Sequence, residues 1–154
     1  MALPPFQAFF DSHRDEVFRF LVGMVGREEA EDCFQETFMA ALRAYPELRP
    51  RSNLRSWILT IARRKAIDAR RARARRPVPV EEPPERAAAP DGLADHGGLW
   101  HAVLELPAKQ RAAVLLRFAV DLPHRDVARV LGCSEEAARR STHEGLRKLR
   151  EVPL

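Results

Sequence analysis

Two groups of basic side chains carry the most legible chemistry in this chain. Between positions 63 and 76, Arg63, Arg64, Lys65, Arg70, Arg71, Arg73, Arg75 and Arg76 are opposed by one acid, Asp68. Like charges on neighbouring helical turns destabilise a helix, so a polyanion that neutralises them is favoured, and a nucleic-acid backbone is the simplest such partner. The competing reading is a solvated, frayed helix end whose arginines serve solubility. The second group is Glu136, Arg139, Arg140 and His143, with Ser134 before it and Arg147 after it. Arginine donates a two-pronged hydrogen bond to guanine and a carboxylate accepts from cytosine, while Ser134 and Arg147 suit phosphates. Here the competing reading is a helical hairpin with a solvated charged face.

Catalysis has no visible apparatus: the sequence shows no Gly-rich phosphate loop, no Ser-His-Asp arrangement and no convergent carboxylate pair. His13, His96, His101, His124 and His143 lack i, i+4 pairing with a glutamate between them, and no cysteine pair accompanies them, so neither a metal nor a cofactor is expected. Cys33 and Cys133 stand far apart inside helical patterns and read as buried, reduced thiols.

Helices must position these groups. From Pro5 to Gly26, Phe6, Phe9, Phe10, Val17, Phe20, Leu21 and Met24 follow the three-and-four spacing of an amphipathic helix. A second runs from Glu28 to Tyr45, with Ala30, Cys33, Phe34, Thr37, Phe38, Ala41, Leu42 and Tyr45 on one face and Pro46 closing it. Its other face, with Asp32, Gln35 and Glu36, is acidic and polar and has no evident intramolecular purpose. Ser52 or Asn53 caps a third helix, whose stripe is Leu54, Trp57, Ile58, Ile61 and Ala62 and whose Ala/Arg-rich end runs toward Arg76. Trp57 lies on that stripe and reads as core.

Residues 77–98 hold five prolines and three glycines with no period, the composition of a linker. Beyond it, a short helix from Leu99 to Leu106 and another from Pro107 to about Val120 precede a helix-turn-helix pattern. Pro123 opens its first helix, in which Val127, Ala128 and Leu131 point inward. Gly132 makes the turn, and Ser134 caps a second helix with Ala138, Thr142, Leu146 and Leu149 inward. In such a motif the second helix enters the major groove. No strand-like alternation is long enough for a sheet, so the expected fold is all-α: a three-helix domain and a helix-turn-helix domain joined by a linker.

Charge is distributed to match. Residues 1–76 hold 15 Lys/Arg against 10 Asp/Glu, residues 77–98 hold 1 against 5, and residues 99–154 hold 10 against 7. Two basic blocks around an acidic connector point to a polyanion, with nucleic acid ahead of an anionic membrane surface. The N-terminus lacks the basic start and apolar block of a signal peptide, and the longest apolar run, FLVGMVG, is too short to span a bilayer, so a cytoplasmic location is expected.

Three ordered stretches, EEAEDCFQETFMAALRAYPELR, SNLRSWILTIARRKAIDARRARARR and the C-terminal LPAKQRAAVLLRFAVDLPHRDVARVLGCSEEAARRSTHEGLRKLRE, resemble the extracytoplasmic-function group of bacterial RNA polymerase sigma factors. The resemblance implies a region 2-like domain at 1–76, a linker at 77–98 and a region 4-like domain at 99–154. It implies that Asp32, Gln35, Glu36, Thr37 and Phe38 bind the polymerase core. It further implies that Arg49, Arg51, Ser52, Asn53 and Arg55 contact the melted upstream element, with Arg63, Arg64, Lys65, Arg70 and Arg71 on its phosphates. The helix-turn-helix would read duplex DNA, and the acidic linker would follow the RNA-exit path. Core RNA polymerase and promoter DNA are then the partners, and an anti-sigma factor regulates many members of the group. The chain departs from the group at Ser141, Thr142 and Glu144, where Thr142 is expected to weaken a core position and Glu144 to repel phosphate. The rival readings are a stand-alone helix-turn-helix regulator without polymerase contact and, more remotely, a small hydrolase.

Overall fold

The computed structural model describes residues 3–50, 52–75 and 97–152, and every regular element among them is helical. Three helices form the first half: α1 (Phe6–Val25), α2 (Arg27–Ala44) and α3 (Leu54–Arg75), each packed on the other two. Gly26 separates α1 from α2. Its φ of 87° lies in the left-handed region that side chains disfavour, and it lets the chain reverse within one residue. Glu28 and Glu29 then sit in the first turn of α2, where acids complement the helix dipole. A short 3-10 turn, Tyr45–Glu47, ends α2.

Asn53 starts α3, its side-chain oxygen accepting from the Ser56 N–H at 3.1 Å. With 22 residues, α3 reaches about 33 Å, carrying the arginine run as a helix to Arg75. Ile58, Leu59, Ala62 and Ala66 are buried against α1 and α2. The half-buried Trp57 ring lies 5.8 Å from Phe9 and 6.3 Å from Tyr45, centre to centre, as a packing residue should.

The second half contains α4 (Gly97–Glu105), α5 (Ala108–Val114), α6 (His124–Leu131) and α7 (Glu135–Arg150). Gly97 and Gly98, expected in the linker, open α4 instead, and the remainder of that expected linker, 77–96, lies outside the described residues. α5 continues into a π-helical turn, Leu115–Ala119, where the Val120 N–H reaches the Leu115 carbonyl at 3.1 Å. Between α6 and α7, Gly132 takes φ 68° and Ser134 accepts from the Ala137 N–H at 3.1 Å, the turn and cap expected of a helix-turn-helix. Gly145 lets α7 close on α5: a Cβ there would stand 2.6 Å from a Val114 methyl.

The two halves share one core. In α1, Phe20 through Val25 are all buried, because α2 and α3 cover one side of the helix and α4, α5 and the π turn cover the other. Gly23 makes this close approach possible, since a side chain there would overlap Leu115. The Arg111 side chain is 5% exposed and meets only carbonyls: Nε donates to Val103 at 3.2 Å, Nη2 to Leu104 at 2.8 Å and Leu106 at 2.6 Å, and Nη1 crosses to Met24 at 3.2 Å. Burial, and secondarily the nearby Arg70, lowers its pKa to about 10.

Two expectations about the core change. Leu42, which the spacing places on the inner stripe of α2, is 56% exposed, because the buried face of the last turn runs through Ala41 and Tyr45 and Leu42 falls at its edge. Cys133 is half-buried rather than buried, while Cys33 is enclosed and its thiol is pushed up to about 11 by burial, with Glu29, Glu36 and Asp32 adding to the shift.

Candidate nucleic-acid interface

The packing of α6 on α7 fixes which face of the helix-turn-helix points outward. Val127, Ala128, Val130 and Leu131 of α6 and Ala138 of α7 are buried together, which fixes the angle between the helices. With that face fixed, Ser134, Glu136, Arg139, Arg140, His143 and Arg147 lie on the outer side of the motif, and all six are exposed. Arg139 is steadied by Glu135 one turn earlier at 2.8 Å, a surface pair that orients the guanidinium at little energetic gain. The departures noted at the middle of α7 are accommodated. Thr142 is buried, but its hydroxyl donates to the Ala138 carbonyl at 2.8 Å, so no polar group is stranded. The Glu144 carboxylate accepts from Gln110 of α5 at 3.2 Å.

α3 and the loop before it are less uniform. Arg49 and Arg64 are exposed, as is Arg71, Asn53 is spent as the helix cap, and Ser52 is half-buried; Arg51 lies outside the described residues. Arg55 donates from Nε to Glu16 at 2.9 Å and from Nη2 to the Val120 carbonyl of the second half. Glu16 also pairs with His13 at 2.7 Å. Although burial pushes the Glu16 pKa up, the bond to His13 and the Arg55 charge hold it below its ordinary value. Arg63 lies beside Cys133 and is half-buried, with its Nε enclosed and lacking an acceptor among the described residues. Lys65 and Arg70 are also half-buried, and Arg73 reaches Glu29 at 2.6 Å.

The polar face of α2 is divided by depth. Asp32, Gln35 and Glu36 are exposed in one patch. Thr37 and Phe38, expected to face a partner beside them, are interior instead: the Thr37 hydroxyl donates to the Cys33 carbonyl at 2.6 Å, and the Phe38 ring packs on Phe10 at 4.8 Å. Phe38 thereby packs α2 against α1. Next to the patch, a groove between α1 and α2 is lined by Arg14, Phe18, Arg19, Glu31, Phe34 and Gln35.

Residues 9–76 match the family description Sigma-70 region 2, and residues 96–149 match Sigma-70, region 4. The ECF RNA polymerase sigma factor SigC of Mycobacterium tuberculosis is 33% identical over 139 residues, covering 82% of this chain and 71% of that protein. The chain belongs to the ECF RNA polymerase sigma factors. The Bacillus subtilis sigma factor SigX is 28% identical over 159 residues, covering 95% of this chain and 82% of SigX. The sigma factor RpoE of Bartonella quintana, solved with the anti-sigma factor NepR, superposes with a TM-score of 0.79 at 24% identity, covering 95% of this chain and 94% of RpoE. As a sigma factor, the protein binds RNA polymerase and recognises promoters. The stand-alone regulator is not favoured by that membership.

Sequence reading missed one part of this sigma factor's α2 surface. Met39 and Leu42 are 55% and 56% exposed and continue the row of Asp32 and Gln35 at helical spacing. An apolar pair next to acids is a common composition for a protein-binding patch. The signal is present in Met39, which lies off the core stripe, whereas Leu42 fits the stripe's spacing and so reads as inward.

Proposed function

We propose that the exposed face of α2 docks on the polymerase core, that α3 and the loop before it take the melted promoter strand, and that α7 reads duplex DNA upstream. The observation that carries this reading is the exposure of Asp32, Gln35 and Glu36 on a helix whose opposite face is fully committed to the core. Met39 and Leu42 extend the docking row as its apolar part. A flipped base costs a few kcal/mol of unstacking, so strand capture needs phosphate contacts as well as a pocket, and Arg49, Arg64 and Arg71 are available for them. α7 alone would read duplex but would not open it.

The chain acts as a binding and positioning subunit, with the polymerase supplying the chemistry, and it works in the cytoplasm where polymerase and DNA are found. No described helix is long and apolar enough to cross a membrane. A regulating anti-sigma protein that covers either the α2 patch or the face of α7 would silence it.

Charge reversal at Asp32→Lys and Glu36→Lys tests the reading. The double variant keeps its helical circular dichroism and melting temperature but loses core-polymerase binding and promoter-directed transcription. Core affinity equal to that of the unmodified chain would overturn the assignment of α2.

A further inference from the structure

Arg117, His124 and Arg139 come from three different elements and meet at one edge of the helix-turn-helix. Arg117 lies in the π turn, His124 opens α6, and Arg139 stands near the start of α7. His124 is half-buried there. Burial first, and then the charges of Arg139 and Arg117, hold its pKa below the ordinary 6.5, while Glu135 opposes them only in part. Each arginine already has an acid of its own, Arg117 with Asp121 at 3.8 Å and Arg139 with Glu135 at 2.8 Å.

The other charges around α6 are placed elsewhere. Arg63 of α3 lies beside Cys133, beyond the opposite end of α6, which with 8 residues is about 12 Å long. On α5, Arg111 is spent on carbonyls and Lys109 sits in the first turn, the end remote from the π turn. Arg125 and Asp126 follow His124 on α6, and Asp126 turns to Arg129 at 3.7 Å. α6 begins on Pro123, which gives no side-chain cap, so an acceptor from outside would complete its first turn. When the second helix of such a motif enters the major groove, the first crosses the DNA backbone. Cations gathered closely enough to keep a histidine unprotonated favour an anion among them.

We propose that Arg117 and His124 hold a phosphate of the duplex beside the reading helix, and that His124 takes one proton from solvent as the phosphate seats, so that duplex affinity rises with acidity. The proposal rests on the assignment of α7 to duplex DNA. The phosphate offsets the two guanidinium charges that keep His124 neutral, and the protonated ring then adds a cation to the contact. Arg139 stays available for base edges. The gain is complete below the pKa of His124 in the free chain and is lost as pH rises through the higher pKa in the complex. Between the two, log affinity falls by at most about one for each pH unit, because a single proton is linked to binding.

Full-length chains carrying His124→Asn, His124→Arg and His143→Asn test the site. Fluorescence anisotropy with a labelled duplex oligonucleotide is read over a salt series at about pH 5 and about pH 8, the range in which histidine changes charge. The unmodified chain is expected to bind about tenfold tighter at the acid end. Its slope of log affinity against log salt should steepen there by about 0.9, the mark of one more neutralised phosphate. His124→Asn should lose both changes and keep the weaker binding throughout. His124→Arg should bind tightly with the steep slope at both pH values, and it keeps the test open if asparagine disturbs the start of α6, as judged by circular dichroism. His143 is exposed on the reading face, and His143→Asn should alter affinity while keeping the acid-dependent steepening. A steepening that survives in His124→Asn or vanishes in His143→Asn overturns the proposal, and so does duplex binding by the unmodified chain that ignores pH. If no chain binds duplex even with core polymerase present, the assignment of α7 itself fails, and the phosphate site with it.

Discussion

α3 and α7 are both amphipathic helices with a row of arginines, and they hold those arginines in opposite ways. On α7, Arg139, Arg140 and Arg147 project from a helix whose inner face is settled against α5 and α6. On α3, Arg55 and Arg73 are engaged with acids of the first half, while Arg63 lies near Cys133 and Arg70 near Arg111 of the second. Duplex reading needs a rigid shape that matches a groove already present in the DNA, so its face can be assembled in advance. α3, proposed above to capture the melted strand, is the helix whose arginines are partly covered.

The contrast can be strained first at its foundation. Ile58, fully buried in α3, anchors the helix to α1 and α2. Ile58→Ala is expected to cost roughly 2–5 kcal/mol in urea unfolding, the usual range for emptying a core site of this size. Because the core is shared, it should weaken polymerase binding and DNA binding alike. A loss confined to strand binding would show that α3 is not a scaffold common to both.

Next in size is the separation of the two DNA activities. Arg139→Ala should cost about 1–3 kcal/mol of discrimination among duplex sequences and leave single-strand binding unchanged, as measured by competition anisotropy. Arg64→Ala with Arg71→Ala should do the reverse, lowering the slope of log affinity against log salt by about 0.7 for each strand phosphate that is no longer neutralised. Equal losses on both substrates from either variant would erase the distinction between the helices.

The smallest expected effect concerns the anchor of Arg55. The Glu16 carboxyl titrates below its ordinary value of 4.5 in the folded chain. Its contribution to stability is therefore fully present above that value and lost as pH falls through the lower folded one. Glu16→Gln should flatten that part of the acid-unfolding curve, and an unchanged pH profile would mean that the His13, Glu16 and Arg55 chain adds nothing to folding stability.

Much of this is legible in the residues. The periods of α1, α2 and α3, the Asn53 and Ser134 caps and the left-handed Gly132 turn are local matters, decided by spacing and backbone preference, and the structure agrees with each. The site is legible where it depends on the outward face of a helix, as at Arg139, Arg140 and His143. Thr37 and Phe38 share a motif with Asp32 and Glu36, and it is the helical spacing, not the motif, that places those two inside. The site is not legible where neighbours distant in sequence decide depth. The unbroken run from Phe20 to Val25 is a sign that α1 is covered on two sides, and its shortness as a membrane span does not by itself reveal what covers it.

The amino-acid order by itself determined the helices, their caps, the placement of charge and the family to which the chain belongs, because each depends on neighbours within a few turns. Only the tertiary structure decided that Arg111 is an interior guanidinium held by four carbonyls, that Gly23 receives Leu115, and that Arg55 and Arg63 are partly withdrawn from solvent. Those facts depend on residues up to 92 positions apart meeting in space, Gly23 and Leu115 among them, and no local pattern encodes such a meeting.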